Sequence, residues 1–546
     1  MRVRKTADFL TVQATAGAYV VMLGMDMPRA KLKGVLGFAI ERLDHSDGER
    51  IWMRGMKTFE ATDPLLGPGN TVSSREHPFQ SFQWADYSAF PERIYTYRII
   101  ALGGSPEDLK EGATVSVTVT TESETTGKHS VYFNRGAVAS QEYARRFQNK
   151  KPSVIGPPAY KWLSRGLVEA LLAYIKQANG SAYELYGAIY QFQNADVFAA
   201  LKAAKASGAK VKIIFDDKDQ KEDNEAALEG SGIKALCKGR THAGNYAHNK
   251  FLVLVKGGEP VSVWSGSTNM TENGIYGHSN VGHVVRDKVI AQSYLDYWNQ
   301  LFGDPKKPDL SPWNEEHSPA PSVPPDRKLA AVFSPRPNVE ALEWYADMAS
   351  KAQRGLFMTF AFGMNKLFVP TYSRQDDVLR FALMETKGMN KEQQATTDRV
   401  RRLPNVVVAV GKNIVINAFD RWLRERATIV SKTHVRYIHT KYMLIDPLGD
   451  DPIVVTGSAN FSDASTTTND ENMLVIRGDK AVADIYLGEF MRLYSHYAFR
   501  ESLSFDRTGA PVDLKYLEPT DAWIDKGRYF RDGSDRALRR AYFAGN

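Results

Sequence analysis

"HTKYMLID", residues 439 to 446, is the stretch on which the reading of this chain turns. Successive residues of a strand project to opposite faces, so His439 and Lys441 point together. Asp446 lies seven residues after His439 and points the other way. An imidazole and an ammonium presented side by side suit a single phosphate, whereas the averted Asp446 suits a local structural task.

The chain contains this arrangement twice. "AHNKFLVLV" (247–255) precedes "WSGSTNMTENGIYGHSN" (264–280), and "IHTKYMLID" (438–446) precedes "VTGSANFSDASTTTNDEN" (455–472). Each half supplies His-x-Lys, an apolar strand, Gly-Ser-x-Asn, and a polar residue fourteen positions after that glycine, namely Asn280 and Glu471. Singly, these pieces are ordinary: a lone strand histidine is more often a core residue, and Gly-Ser-x-Asn is usually a turn. Their duplication in order reverses that reading. Lys250 and Lys441 supply positive charge, and Ser267, Asn269, Ser458 and Asn460 are candidate hydrogen-bond donors to phosphate oxygens.

The constellation resembles the HKD motif, His-x-Lys-x4-Asp with a downstream Gly-Ser-x-x-Asn or close variant, of the phospholipase D superfamily. "HTKYMLID" with "GSAN" is a full match and "HNKFLVLV" with "GSTN" a partial one, and the resemblance spans roughly residues 130 to 500. It implies two α/β repeats about a pseudo-twofold axis, both motifs meeting at one active site. It further implies attack on phosphorus by a neutral histidine, assigned to His248, while a protonated one, His439, serves the leaving oxygen and then water. Glu471 corresponds to the family's downstream acidic residue that orients a histidine; its first-half counterpart is the amide Asn280. The chain departs from the family at Val255, where the first motif should have its aspartate. With Asp446 read as structural, that change costs little chemistry. This chemistry requires neither metal nor cofactor. His242, His278, His283 and His434 flank the motifs and read as ordinary loop or strand residues.

Composition narrows the setting. The 546 residues carry a formal charge of +7, a mild basic excess that suits a polyanionic partner. The single cysteine, Cys237, excludes an intrachain disulfide and a cysteine metal cage. "MRVRKTADFLTVQ" lacks the apolar core of a signal peptide, and no apolar run reaches membrane-spanning length, so a cytoplasmic protein without an integral membrane segment is expected.

Residues 1–125 read as an antiparallel β-sandwich: "ATVSVTVTT" alternates cleanly, and with "YTYRIIALG" it resembles the last strands of a fibronectin type III domain. This is expected to be an accessory domain for protein docking. Residues 130–302 and 328–505 have the βαβ texture of a mostly parallel sheet and form the two predicted repeats. Residues 303–327, with seven prolines, read as a connector, and 506–546 as a C-terminal extension.

The superfamily acts on several phosphodiesters, so fold alone does not choose the substrate. Nucleic acid is favoured by the basic balance and by two stretches, "RWLRERATIVSKTHVR" (421–436) and residues 523–546. In the latter, six basic residues interleave with Trp523, Tyr529, Phe530 and Tyr542 in a way that suits backbone tracking and base stacking. For a phospholipase stands the aromatic-rich "LFMTFAFGM". A third reading is a catalytically decayed nucleic-acid-binding or scaffold protein.

Overall fold

The computed structural model describes residues 1–66, 70–136, 140–320, 328–411, 438–504 and 516–546. The basic stretch 421–436 and His434 lie outside these.

The N-terminal region is all β. One four-stranded antiparallel sheet runs Arg2–Ala7, Leu10–Ala16, Val21–Asp26, Gln83–Asp86; the other runs Asp108–Thr120, Ile94–Ser105, Gly37–Asp44, Arg50–Trp52. The alternation of "VSVTVT" places Val115, Val117 and Val119 in the core and Ser116, Thr118 and Thr120 outside. That core also takes Trp523, Ile524 and Tyr529 from the C-terminal segment, and the Trp523 indole donates to the Val35 carbonyl at 2.8 Å. The expected base-stacking role for these aromatics is therefore corrected. Trp523, Tyr529 and Tyr542 are buried, and Phe530 is sandwiched between Phe82 and the Arg540 guanidinium.

Two seven-stranded sheets follow, and they share one order. The first is His129–Phe133, Val281–Val285, Glu259–Gly266, Lys250–Lys256, Tyr183–Ile189, Lys210–Asp216, Cys237–Arg240. The second is Leu329–Ser334, Glu471–Arg477, Ile453–Gly457, Tyr442–Ile445, Gly355–Phe360, Leu379–Met384, Val406–Val410. Each sheet is mixed rather than mostly parallel. Parallel pairing joins only the last three strands, where helices provide the crossovers. After the motif strand the chain turns back at once, through Gly257 and Gly258 in the first repeat, and continues antiparallel.

Three further expectations change. The predicted connector contains the helix Lys307–His317, whose Asn314 donates to the Pro335 carbonyl at 2.9 Å. "LFMTF" is a wholly buried central strand, so its aromatics face core and not lipid. The N-terminal sheets share core with the repeats, since Ala18, Val20 and Met22 join the cluster that holds Phe133, Tyr442 and Tyr486. The long helix Lys480–Ser504 crosses this junction, and its buried Glu489 pairs with Arg165 at 2.6 Å and Arg492 at 2.7 Å.

Candidate active site

The motif histidines stand two and three residues ahead of the strands Lys250–Lys256 and Tyr442–Ile445, and each motif is held by a carboxylate that sequence reasoning missed. Asp216, ending its strand in the first repeat, accepts the Ala247 amide at 2.7 Å; Glu385, just past the equivalent strand, accepts the Ile438 amide at 3.0 Å. Both acceptors grip the residue that precedes a motif histidine. The approaching chains are also tied across the repeat boundary. The Asp470 amide donates to the Tyr246 carbonyl at 2.9 Å, and the His439 amide to the Ser279 carbonyl at 3.3 Å.

The ring nitrogens are exchanged between repeats. His248 donates from Nδ1 to Glu471 Oε2 at 2.8 Å, and His439 from Nδ1 to Asn280 Oδ1 at 2.8 Å. Glu471 Oε1 accepts the Asn469 amide at 3.1 Å. The Asn280 amide is oriented by its own donation to the Gly274 carbonyl at 2.7 Å, so its oxygen faces the ring and Nδ1 of His439 carries the proton. In both rings Nε2 is then left for chemistry.

The burial that assembles the site also discharges it. Burial pushes the His248 imidazole down to about 4, with Lys250 and Lys441 adding to the effect and Glu471 opposing it. His439 is held well below the ordinary histidine value by burial, then by Lys441 and His278. Burial likewise lowers Lys250 to about 7, against the supporting charges of Glu471 and Asp216. Both rings therefore rest neutral, and a phosphodiester's negative charge is what favours their protonation.

Lys250 and Lys441 each donate from Nζ to the carbonyl of their own motif histidine. Lys250 also sits 4.8 Å over the Tyr190 ring, which packs 4.7 Å from His248. The second repeat has Ala361 at the position matching Tyr190, so this aromatic wall belongs to one side only. The serines need correcting. Ser267 Oγ donates to Asn280 Oδ1 at 2.8 Å and accepts the Val281 amide, while Ser458 Oγ accepts the Asn472 amide at 3.0 Å. Their hydroxyls are committed to holding the downstream strand and its orienting residue rather than offered to phosphate. Asn269 donates to Gln191 at 2.5 Å, whereas the half-buried Asn460 side chain has no partner among the described residues.

Asp446 is turned away from the site. Its carboxylate accepts the amides of Gln353, Arg354 and Gly355 at 2.9, 2.7 and 2.9 Å, closing the entry to the neighbouring strand. Val255 is buried in the core and extends its strand by a residue pair with Glu184. Of the flanking histidines, His242 pairs with Asp304 at the surface, and His283 is buried between His129 and Tyr486. His278 is nearer the chemistry than expected, its ring centroid 5.7 Å from that of His439. Beneath the site Asn472 binds Asn249, Ser265 and Tyr294, knitting the two repeats through buried polar groups. Asn249 lies inside the first motif and Asn472 follows Glu471; that adjacency is the one trace they leave in the sequence.

Two like sheets with exchanged histidine partners at their junction form a phospholipase D-like fold. Residues 171–302 and 406–494 match the family described as cardiolipin synthase, PLD-like domain. A comparison with curated protein sequences returned no match. Among solved structures, polyphosphate kinase from Porphyromonas gingivalis is similar at 13% identity and a TM-score of 0.39. That match covers 67% of this chain and 53% of the kinase, so the chain spans about half the kinase's length. Phosphatidylserine synthase from Haemophilus influenzae is similar at 11% identity and a TM-score of 0.42, covering 70% of this chain and 94% of the synthase. Yeast tyrosyl-DNA phosphodiesterase is similar at 12% identity and a TM-score of 0.34, covering 55% and 84% respectively.

Proposed function

We propose that the protein is a metal-independent phosphodiesterase that works through a phosphohistidine. The observation that carries this reading is the pair of imidazoles, each with Nδ1 engaged across the repeat boundary and with no partner for Nε2 among the described residues. His439 takes up a proton on Nε2 as the phosphodiester's negative charge binds beside it. His248 Nε2 then attacks phosphorus, the bond to the leaving oxygen breaks, and that oxygen takes this Nε2 proton. A water then gives its proton to His439 and its oxygen to phosphorus, releasing His248. Lys250, Lys441 and the free amide of Asn460 balance the charge that gathers on the phosphoryl oxygens.

The unequal orienting groups support this assignment of roles. A histidine bonded to phosphorus becomes cationic, and the Glu471 carboxylate stabilises that cation where an amide could not. The acid–base histidine must instead gain and release a proton easily, which suits neutral Asn280. Retention of all four motif side chains in the first repeat argues against a decayed site despite Val255.

A nucleic-acid substrate is favoured by the +7 charge and by arginines described below. The matched family's description, cardiolipin synthase, supports a second reading with a glycerophospholipid substrate. Wild type and His248→Ala are to be compared in excess EDTA on single-stranded DNA, duplex DNA, RNA and phosphatidylcholine vesicles. Cleavage of one class, lost in the variant, supports the mechanism and names the substrate. Equal inertness of both proteins overturns it.

A further inference from the structure

An arginine-lined hollow of about 470 Å³ lies outside the active site, where the second repeat meets the C-terminal segment. Arg401, Arg402, Arg528 and Arg531 line it, with Asp532 and Asp535 as its only acids among the described residues. Arg528 is paired with Asp535 at 3.4 Å, whereas Arg402 and Arg531 are exposed and have no carboxylate partner among the described residues. Arg536, in the helix Asp535–Phe543 that starts at this hollow, adds a further positive charge that disfavours the Lys57 ammonium. Like charges gathered in this way repel one another, and a polyanion relieves that repulsion.

The hollow opens at the start of the strand Val406–Val410, and Gly411 at its other end lies against Ile438 and Glu385 beside the second motif. At 3.3 Å per residue the two ends are about 15 Å apart. At the duplex spacing of about 3.4 Å per phosphate this distance corresponds to roughly four nucleotides, and to fewer when a single strand is extended. We propose that the hollow is a second phosphate-binding site, holding the backbone of a single-stranded nucleic acid whose scissile bond lies at the two histidines. The concave lining suits a flexible strand better than a flat bilayer. The inference rests on the nucleic-acid reading above and extends it to a region remote from the chemistry.

The test uses the full chain and Arg402→Glu/Arg531→Glu, with Arg402→Lys/Arg531→Lys as the charge-preserving control. Substrates are bis(p-nitrophenyl) phosphate, a thymidine dinucleotide and a 20-nucleotide thymidine strand. Reversal is expected to raise KM for the 20-mer about tenfold and leave the two short substrates unchanged. It should also flatten the salt dependence of 20-mer binding by about 1.4 log units per log unit of salt, two contacts at about 0.7 each. The lysine control should resemble wild type. An unchanged 20-mer KM and salt slope overturn the site while leaving the nuclease reading intact. If wild type cleaves no nucleic acid, 20-mer binding to His248→Ala protein decides. Binding lost on charge reversal keeps the site and fells the nuclease reading; binding that is absent or indifferent to reversal fells the site. Loss confined to anionic vesicle binding also overturns it.

Discussion

Glu471 Oε2 holds Nδ1 of His248 at 2.8 Å although 223 residues separate them and they belong to opposite repeats. On the proposed mechanism, a carboxylate at this position orients Nε2 toward phosphorus and stabilises the cation that forms on attack. Glu471→Gln keeps the hydrogen bond but not the charge, so kcat is expected to fall about 10²- to 10³-fold, with KM within about threefold. Steady-state kinetics on the substrate identified above checks it, and equal losses in kcat and substrate affinity would count against an orienting role.

The pH dependence of kcat/KM follows from the free enzyme. His248 must be unprotonated to attack, so activity is lost as pH falls through about 4. Lys250 must be protonated to attract phosphate, so activity declines as pH rises through about 7. His439 must also be protonated to serve the leaving oxygen and is held well below the ordinary histidine value, so a narrow bell falling toward high pH is expected. Lys250→Arg, permanently charged, should remove the Lys250 part of the alkaline decline and leave the part due to His439.

Asp216 and Glu385 are expected to act as positioning residues. Asp216→Asn removes a negative charge that supports the Lys250 ammonium, so the alkaline limb should move to lower pH. Glu385→Gln, which grips the other motif, should leave that limb in place. Both should cost about 1–3 kcal/mol of stability through weakened buried hydrogen bonds, read by denaturant titration.

Asp446 and Val255 occupy matching positions and are expected to respond as structural residues. Asp446→Asn keeps a side chain tolerant of the positive φ of 46° but weakens the grip on three amides, at about 1–3 kcal/mol. Val255→Asp restores the family aspartate yet buries a charge in an apolar cluster, so it should lower Tm and raise no activity. A gain in kcat from Val255→Asp would refute this.

What was legible in the sequence was what chemistry restricts to few residue types. His248, Lys250, His439 and Lys441 stand out because their spacing is repeated, and the two sheets follow from the repeat. The exchange of partners was not legible, because Glu471 and Asn280 sit in strand entrances whose contacts leave no periodic trace. The serines misled for a related reason: a hydroxyl next to glycine serves a phosphate or a backbone amide equally well. Trp523 and Tyr529 misled because composition does not reveal which face of a segment packs inward, and here the N-terminal sheets claim it.

The exchanged orienting groups also bear on how the protein comes into being. A ribosome that has made the first repeat has already made His248 and Lys250, but Glu471 is still unwritten. The emerging half thus holds a nucleophile with no carboxylate to stabilise its attack, and His439 has yet to exist. The site is completed in one event, when the late strand Glu471–Arg477 takes its place in the second sheet. On the proposed mechanism, a product that stops before Glu471 has His248 without its carboxylate partner and is expected to be inactive.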